Sequence, residues 1–130
     1  MLALLSLIAV LGADPDGLDA VTAAPGNHAV VFENDRVRVL QVTVAPGETE
    51  PVHVHRWHSV MHIEQAQPLT DILYRIEADG SLVEIERRAL PAGPPPPALW
   101  FAPEGPHAIR NDGDGPFRAL RIELKDGAPE

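Results

Sequence analysis

Two histidines separated by one residue have the clearest chemical potential in this sequence. His53 and His55 follow a Pro46-Gly47 turn, in the run Pro-Val-His-Val-His. Because successive side chains of a strand point to opposite faces, both imidazoles project to the same side and can share one small cation. Imidazole suits zinc, iron, copper and nickel, so the spacing predicts a divalent transition metal without fixing its identity. A pair of solvated surface histidines is the alternative for an isolated motif of this kind.

A third histidine, His107, lies about fifty residues downstream. It follows the apolar pair Trp100-Phe101 and a Pro/Gly turn, and it opens a second short run of residues typical of a strand. An imidazole delivered by a separate strand can close a metal site across a barrel or sandwich. The three histidines are therefore candidate ligands of one ion.

The first of these segments resembles the first motif of the cupin superfamily. That motif reads Gly, five residues, His-x-His, three or four residues, Glu, six residues, Gly. Here Gly47, His53 and His55 fit the spacing. The glutamate position is occupied by Ser59 and the final glycine position by Ala66.

The second segment is similar to the second cupin motif, which reads Pro-x-Gly, two residues, His, three residues, Asn. Pro103, Gly105, His107 and Asn111 fit it, although only Pro106 separates the glycine from the histidine. The two motifs together are fairly specific. Their departures from the pattern fall on the ligand set.

The resemblance covers roughly residues 30–125 and implies an all-β fold, a cupin-type jelly-roll barrel or double-stranded β-helix. It implies that His53, His55 and His107 point into the barrel and bind one divalent cation. Because the glutamate ligand is missing, three alternatives stay open: water fills its position, His58 turns inward across a local bulge, or the site binds metal too weakly to be occupied. The resemblance also implies a homodimer.

A neutral ligand set leaves the ion with its full charge, which acidifies bound water and attracts anions. This favours an oxygenase-like (dioxygenase-like) or hydrolytic reaction on a small acidic or diketone-like molecule. The expected barrel lining includes Met61, Ile63 and either Trp100 or Phe101, and no residue is placed as an obvious general base. The alternative is a non-catalytic cupin, either a small-molecule-binding protein or a dimeric scaffold without metal, because fold does not fix function.

Composition excludes several other classes of function. A chain of 130 residues favours one domain with a single core. The absence of cysteine excludes disulfides, thiolate zinc sites and cysteine nucleophiles. The formal net charge of -9, with one lysine, leaves no basic patch for nucleic acid.

The sequence divides into an apolar N-terminal segment and linker over 1–27, a barrel over 28–125 and a tail over 126–130. Residues 1–13 are apolar but too short to span a bilayer, which needs about 20 such residues. They also lack the basic start of a secretory signal. We therefore expect a cytoplasmic protein with no membrane partner. Export directed by residues 1–13 is the alternative.

The linker has two candidate helix starts, Asp14 and Asp16, and predicts a short helical turn that ends at a surface residue, His28. The remaining sequence predicts about eight or nine short strands.

Three features of these strands are specific. Residues 36–44 change the parity of their apolar positions, which predicts a bend or bulge. The Asp-Gly within residues 78–81 predicts a hairpin turn. The proline-rich stretch Pro91–Pro97 predicts a loop.

Overall fold

The computed structural model of the protein describes residues 17–125. The predictions for residues 1–13 and for the tail at 126–130 lie outside the described residues. Within the described range the chain forms one short helix and nine strands. Their bounds are α1 Ala20–Ala23, β1 His28–Glu33, β2 Val37–Val44, β3 His53–His55, β4 Ser59–Gln65, β5 Leu69–Ile76, β6 Leu82–Leu90, β7 Leu99–Phe101, β8 Glu104–Asn111 and β9 Phe117–Leu124.

The strands form two antiparallel sheets. One has five strands in the order β1-β2-β9-β4-β7, and the other has four in the order β3-β8-β5-β6. The order is far from sequential, so strands distant in the sequence lie side by side. The all-β prediction is confirmed. The predicted hairpin also forms between β5 and β6, with Gly80 at φ 88°.

The core lies between the sheets and depends on β2 and β9, which alternate strictly between buried and half-buried residues. At one end of this strand pair the inward side chains are apolar, with Val44 opposite Phe117. At the other end they are charged, with Arg38 opposite Glu123. The barrel interior is therefore apolar at one end and polar at the other.

The predicted change of parity within β2 is wrong. This strand pairs with β9 residue by residue with no shift of register, and Arg38 faces inward together with Leu40. A buried guanidinium is tolerated because two carboxylates accept its hydrogen bonds, Asp19 at 2.9 and 3.0 Å and Glu123 at 2.6 Å. An irregularity of register is found in the neighbouring strand β1 instead.

The segment predicted as a linker packs against the barrel. Helix α1 begins after Asp19, whose carboxylate accepts a hydrogen bond from a backbone N–H two residues on at 3.2 Å. The carbonyl of Leu18 accepts a hydrogen bond from the N–H of Val54 in β3 at 2.7 Å. The two predicted start positions, Asp14 and Asp16, lie outside the described residues.

The stretch predicted as a proline-rich loop forms no strand or helix, as expected, and connects β6 to β7. Within residues 17–125 we find no helix with the length and hydropathy needed to cross a bilayer.

Replacement of Arg38 by methionine should lower the free energy of unfolding by about 3–5 kcal/mol, because it leaves two buried carboxylates without a counter-charge. Urea denaturation at pH 7 measures this change. The matched control is Arg75→Met, which removes an exposed ion pair with Glu77 and should change stability by less than about 1 kcal/mol. Equal losses in the two variants would contradict a stabilising role for the buried pair.

Candidate metal centre

Three of the four candidate ligands come together inside the barrel. His53 and His55 lie on β3, and His53 pairs directly opposite His107 on β8. The ring centroids are 5.0 Å apart for His53 and His55, 4.5 Å for His53 and His107, and 5.6 Å for His55 and His107. The alternation of β3 buries both of its histidines and leaves Val54 between them half-buried.

The structure does not bring His58 to this cluster. Its half-buried ring stacks on the indole of Trp100, with centroids 5.3 Å apart and an interplanar angle of 24°. Among the described residues it belongs to no group of side chains whose ligand atoms could share an ion. A residue three positions after His55 faces the other way unless the strand bulges, and the chain here places His58 against β7 instead.

His28 joins the cluster, and the prediction that it lies at the surface is wrong. Only 3% of the residue is exposed. Its ring centroid lies 4.6 Å from that of His53 and 5.3 Å from that of His55. The ring is turned inward because its Nδ1 lies 3.1 Å from the carbonyl of Ala24, at the end of α1. This contact could not be found from the sequence without knowing that α1 packs on the barrel.

All four imidazoles have the same hydrogen-bonding arrangement: each Nδ1 faces an oxygen that only accepts. The pairs are His28 with Ala24 O at 3.1 Å, His53 with Pro51 O at 2.9 Å, His55 with Glu123 Oε2 at 3.0 Å, and His107 with Gly105 O at 2.7 Å. Because those oxygens cannot donate, Nδ1 must carry the hydrogen and Nε2 keeps its lone pair. Four rings with fixed tautomers and free Nε2 lone pairs are what a metal of the zinc, iron, nickel or copper type needs.

Burial favours the neutral form of His28, His53 and His55. It lowers the pKa of His28 from 6.5 to about 4 and lowers the pKa of His53 and His55 well below 6.5. The positive charge of Arg121 lowers all three values further. At neutral pH the lone pairs are therefore available for coordination.

A buried carboxylate, Glu50, lies beside two of the rings. Its Oε2 is 3.6 Å from Nε2 of His28, and its Oε1 is 3.8 Å from Nε2 of His53. The same Oε1 accepts a hydrogen bond from the N–H of Ile109 at 3.0 Å. Burial raises the pKa of Glu50 from 4.5 to about 8. Sequence reasoning missed this residue, although it lies within the first motif, because its orientation depends on the neighbouring strand.

Glu104 is the second carboxylate near the rings. His55, Glu104 and His107 each offer a ligand atom within 4.8 Å of the others, and so do His28, His53 and His55. The two groups overlap at His55. The donor set of imidazoles and carboxylates therefore fits a divalent transition metal, even though Ser59 stands where the cupin motif has glutamate.

Behind His55 lies a chain of buried charged groups. Glu123 accepts the Nδ1 hydrogen of His55 at 3.0 Å and a hydrogen bond from Arg38 at 2.6 Å, and Arg38 also contacts Asp19. Glu123 lies directly across from Ser59 in the sheet. A carboxylate absent from position 59 is thus present one strand away, where it orients a histidine from behind. Glu123 shares the parity of Phe117 in β9, a signal from which the sequence could have placed it inward.

The rings border a cavity of about 450 Å³. Its apolar wall includes Met61, Ile63 and Phe101, as predicted. Trp100, the other candidate, points outward and is 61% exposed. Residues of the proline-rich loop form part of the rim. The cavity size lies in the range of pockets that hold small molecules.

The fold has known counterparts, although the sequence matches no family model and no curated protein. A cupin domain from Bordetella pertussis is 22% identical over 75% of this chain and 90% of that one, with a TM-score of 0.53. An RmlC-like cupin with a double-stranded β-helix fold from Methanocaldococcus jannaschii is 10% identical over 75% of this chain and 77% of that one, with a TM-score of 0.50. The chain therefore has the cupin fold, as its two motifs predict.

The neutral histidines make the stability of the metal-free protein depend on pH. Unfolded histidine binds a proton near pH 6.5, whereas folded His28 does so only near pH 4. Between these values the unfolded state binds more protons, so this residue makes the free energy of unfolding fall as the pH falls. Replacement of His28 by asparagine should flatten the pH dependence between 6.5 and 4, by up to one proton.

Urea denaturation of chelator-treated protein at several pH values measures that slope. His62→Asn, at an exposed position of β4 outside the cluster, is the matched control. An unchanged slope in the His28 variant would show that this ring is already protonated near its ordinary pKa. Glu50→Gln should act in the opposite direction and steepen the loss toward acid, because the raised pKa of Glu50 stabilises the folded state as the pH falls from about 8.

Proposed function

We propose that this protein is a metal-dependent enzyme with the cupin fold, acting on a small acidic or diketone-like molecule by an oxygenase-like or hydrolytic reaction. His53, His55 and His107 hold the ion, and His28 is the fourth imidazole. The observation that carries the proposal is the set of four buried rings, each with its Nδ1 bonded to an acceptor, beside a cavity of about 450 Å³.

The ion is a divalent transition metal, with iron, zinc, nickel and copper as the candidates that imidazole favours. When bound, such an ion supplies Lewis acidity, which polarises a substrate oxygen and lowers the pKa of a bound water. The wall formed by Met61, Ile63 and Phe101 offers the substrate an apolar surface beside the rings.

Two carboxylates lie beside the cluster, although the first cupin motif lacks its glutamate at position 59: Glu104 near His55 and His107, and Glu50 near His28 and His53. Both oxygens of Glu50 lie within 4 Å of an Nε2 atom of the cluster. In the metal-free protein its pKa of about 8 means that the carboxyl group holds a proton at neutral pH. A nearby cation favours the ionised form, so Glu50 can release that proton and neutralise part of the charge of the ion.

Elemental analysis of untagged protein tests the metal directly. We expect close to one transition-metal ion per chain, lost when His53 and His107 are both replaced by alanine. His28→Ala should weaken metal binding by about tenfold or more in competition with a chelator, by analogy with the loss of a supporting group of a metal site. His58→Ala is the matched control and should leave the metal content unchanged, because its ring stacks on Trp100.

Metal-free protein whose melting temperature is unaffected by chelation would overturn the enzyme proposal. That result would favour a non-catalytic cupin that binds a small molecule or acts as a scaffold. Loss of metal in the His58 variant, with retention in the His28 variant, would reassign the fourth ligand.

We further propose that the protein is a homodimer, as the cupin resemblance implies. Large apolar side chains are exposed on edge strands, including Val31 at 57% and Phe32 at 54% on β1. An exposed apolar edge strand is a surface that proteins usually cover. Sedimentation should therefore give a mass near twice 14.0 kDa, and Phe32→Ser should shift the equilibrium toward monomer. A monomer at all concentrations would contradict this proposal.

A further inference from the structure

Two buried side-chain atoms on the cavity wall have no hydrogen-bond partner in the described part of the chain. They are Nε of Arg121 and Oδ1 of Asp71, and both residues line the cavity. Buried polar atoms nearly always have a partner, because an unsatisfied one costs about 1–3 kcal/mol. One atom is a donor and the other is an acceptor. The two atoms are therefore complementary in kind to an acceptor and a donor of a bound molecule.

The side chain of Arg121 is only 4% exposed and is held firmly. It follows the inward parity of β9, its guanidinium lies 5.4 Å over the ring of Phe101, and one terminal nitrogen donates to Glu104 at 2.5 Å. The Nε–H edge remains for a ligand. A guanidinium fixed in this way binds a carboxylate with defined geometry, at little further cost in side-chain entropy.

Arg121 lies close to the histidine cluster, because it donates to Glu104, whose carboxylate lies within 4.8 Å of a ring nitrogen of His55 and of His107. An anion bound to this guanidinium therefore lies next to the candidate metal centre. Arg121 is also the one positively charged side chain among the described residues that line the cavity. It is the natural anchor for a negatively charged group.

Asp71 provides the complementary group on the other sheet. It lies on β5, which belongs to the four-stranded sheet, whereas Arg121 lies on β9 in the five-stranded sheet. A carboxylate accepts hydrogen bonds, so the partner of Asp71 is a hydroxyl or ammonium group. The apolar surface between the two sheets includes Val42 and Met61 and accommodates a hydrocarbon body.

We propose that the cavity binds a small carboxylic acid that carries a second, hydrogen-bond-donating group. The carboxylate binds Nε–H of Arg121, the hydroxyl or ammonium group donates to Asp71, and the hydrocarbon part packs on the apolar wall. This inference deepens the proposed function and rests on it for the role of the metal. Arg121 and Asp71 are the residues that determine specificity.

Binding is measured by calorimetry on the full chain, with four matched probes: 3-phenyllactate, phenylalanine, 3-phenylpropanoate and 3-phenylpropanamide. We expect 3-phenylpropanoate to bind about tenfold or more tightly than its uncharged amide, because a hydrogen bond to a charged group is worth about 1.5–3 kcal/mol. At least one of the two donor-bearing acids should bind tighter again. Which of the two is preferred identifies the donor as hydroxyl or ammonium.

Three variants assign the preferences to residues. Arg121→Gln should abolish the preference for acid over amide, and Arg121→Lys should restore part of it. Asp71→Asn should abolish the preference for the donor-bearing acids and leave the acid–amide difference intact. Because the comparison of acid with amide is made first on the unchanged protein, it does not depend on any variant folding. Equal binding of acid and amide, or no binding of any probe, would overturn the inference.

The same titrations in the presence of chelator separate this inference from the proposed function. Suppose that the protein never binds metal but prefers acids in a way that depends on Arg121. That result would support Arg121 as the carboxylate-binding residue and would overturn the metal-dependent enzyme. Stoichiometric metal, together with acid binding that does not depend on Arg121, would support the metal-dependent enzyme and overturn the proposed role of Arg121.

Discussion

The cluster depends on one constraint: a buried imidazole must find an acceptor for its N–H inside the protein, because little water reaches it. The acceptors come from four separate places, namely the end of α1, the turn before β3, the start of β8 and the far strand β9. Only the complete fold brings them together. The hydrogen bonds to the four Nδ1 atoms also leave each Nε2 lone pair facing the middle of the cluster. The orientation of the candidate ligands is therefore established when the chain folds.

Charge inside the barrel is balanced in two groups. Arg38 lies between Asp19 and Glu123, on the side of His55 away from the cavity. Arg121 pairs with Glu104 on the cavity side. The first group orients a ring from behind and the second reaches the space where a ligand binds. Because Asp19 also caps α1, the position of the N-terminal helix is linked through three side chains to the orientation of His55.

The sequence was informative where chemistry depends on local spacing. The His-x-His pair and His107 were placed correctly relative to one another, since strand alternation and the two motifs suffice for that. The inward position of Arg38 is missed because Arg36 and Arg38 alternate with Val37 and Val39, a pattern that predicts both arginines on the solvent face. Its parity with Leu40 was the better guide, since a charged side chain with buried counter-charges obeys the alternation of its strand.

His28 and Glu50 were beyond the reach of such patterns. Each is turned inward by one backbone group of a distant element, the Ala24 carbonyl for His28 and the Ile109 N–H for Glu50. A single sequence does not record which strand lies beside which. The inward positions of His28 and Glu50 beside His53 therefore depend on neighbouring elements that the sequence alone does not place.

The composition of the cavity rim determines which groups an entering molecule meets first. Pro91, Pro94 and Pro95 border the opening, and a proline has a fixed φ and no N–H. Each of these prolines has a restricted backbone and cannot donate a backbone hydrogen bond. A molecule that enters past them meets ring carbons and carbonyl oxygens first, and the hydrogen-bond donors of the site lie deeper, on Arg121 and the strands.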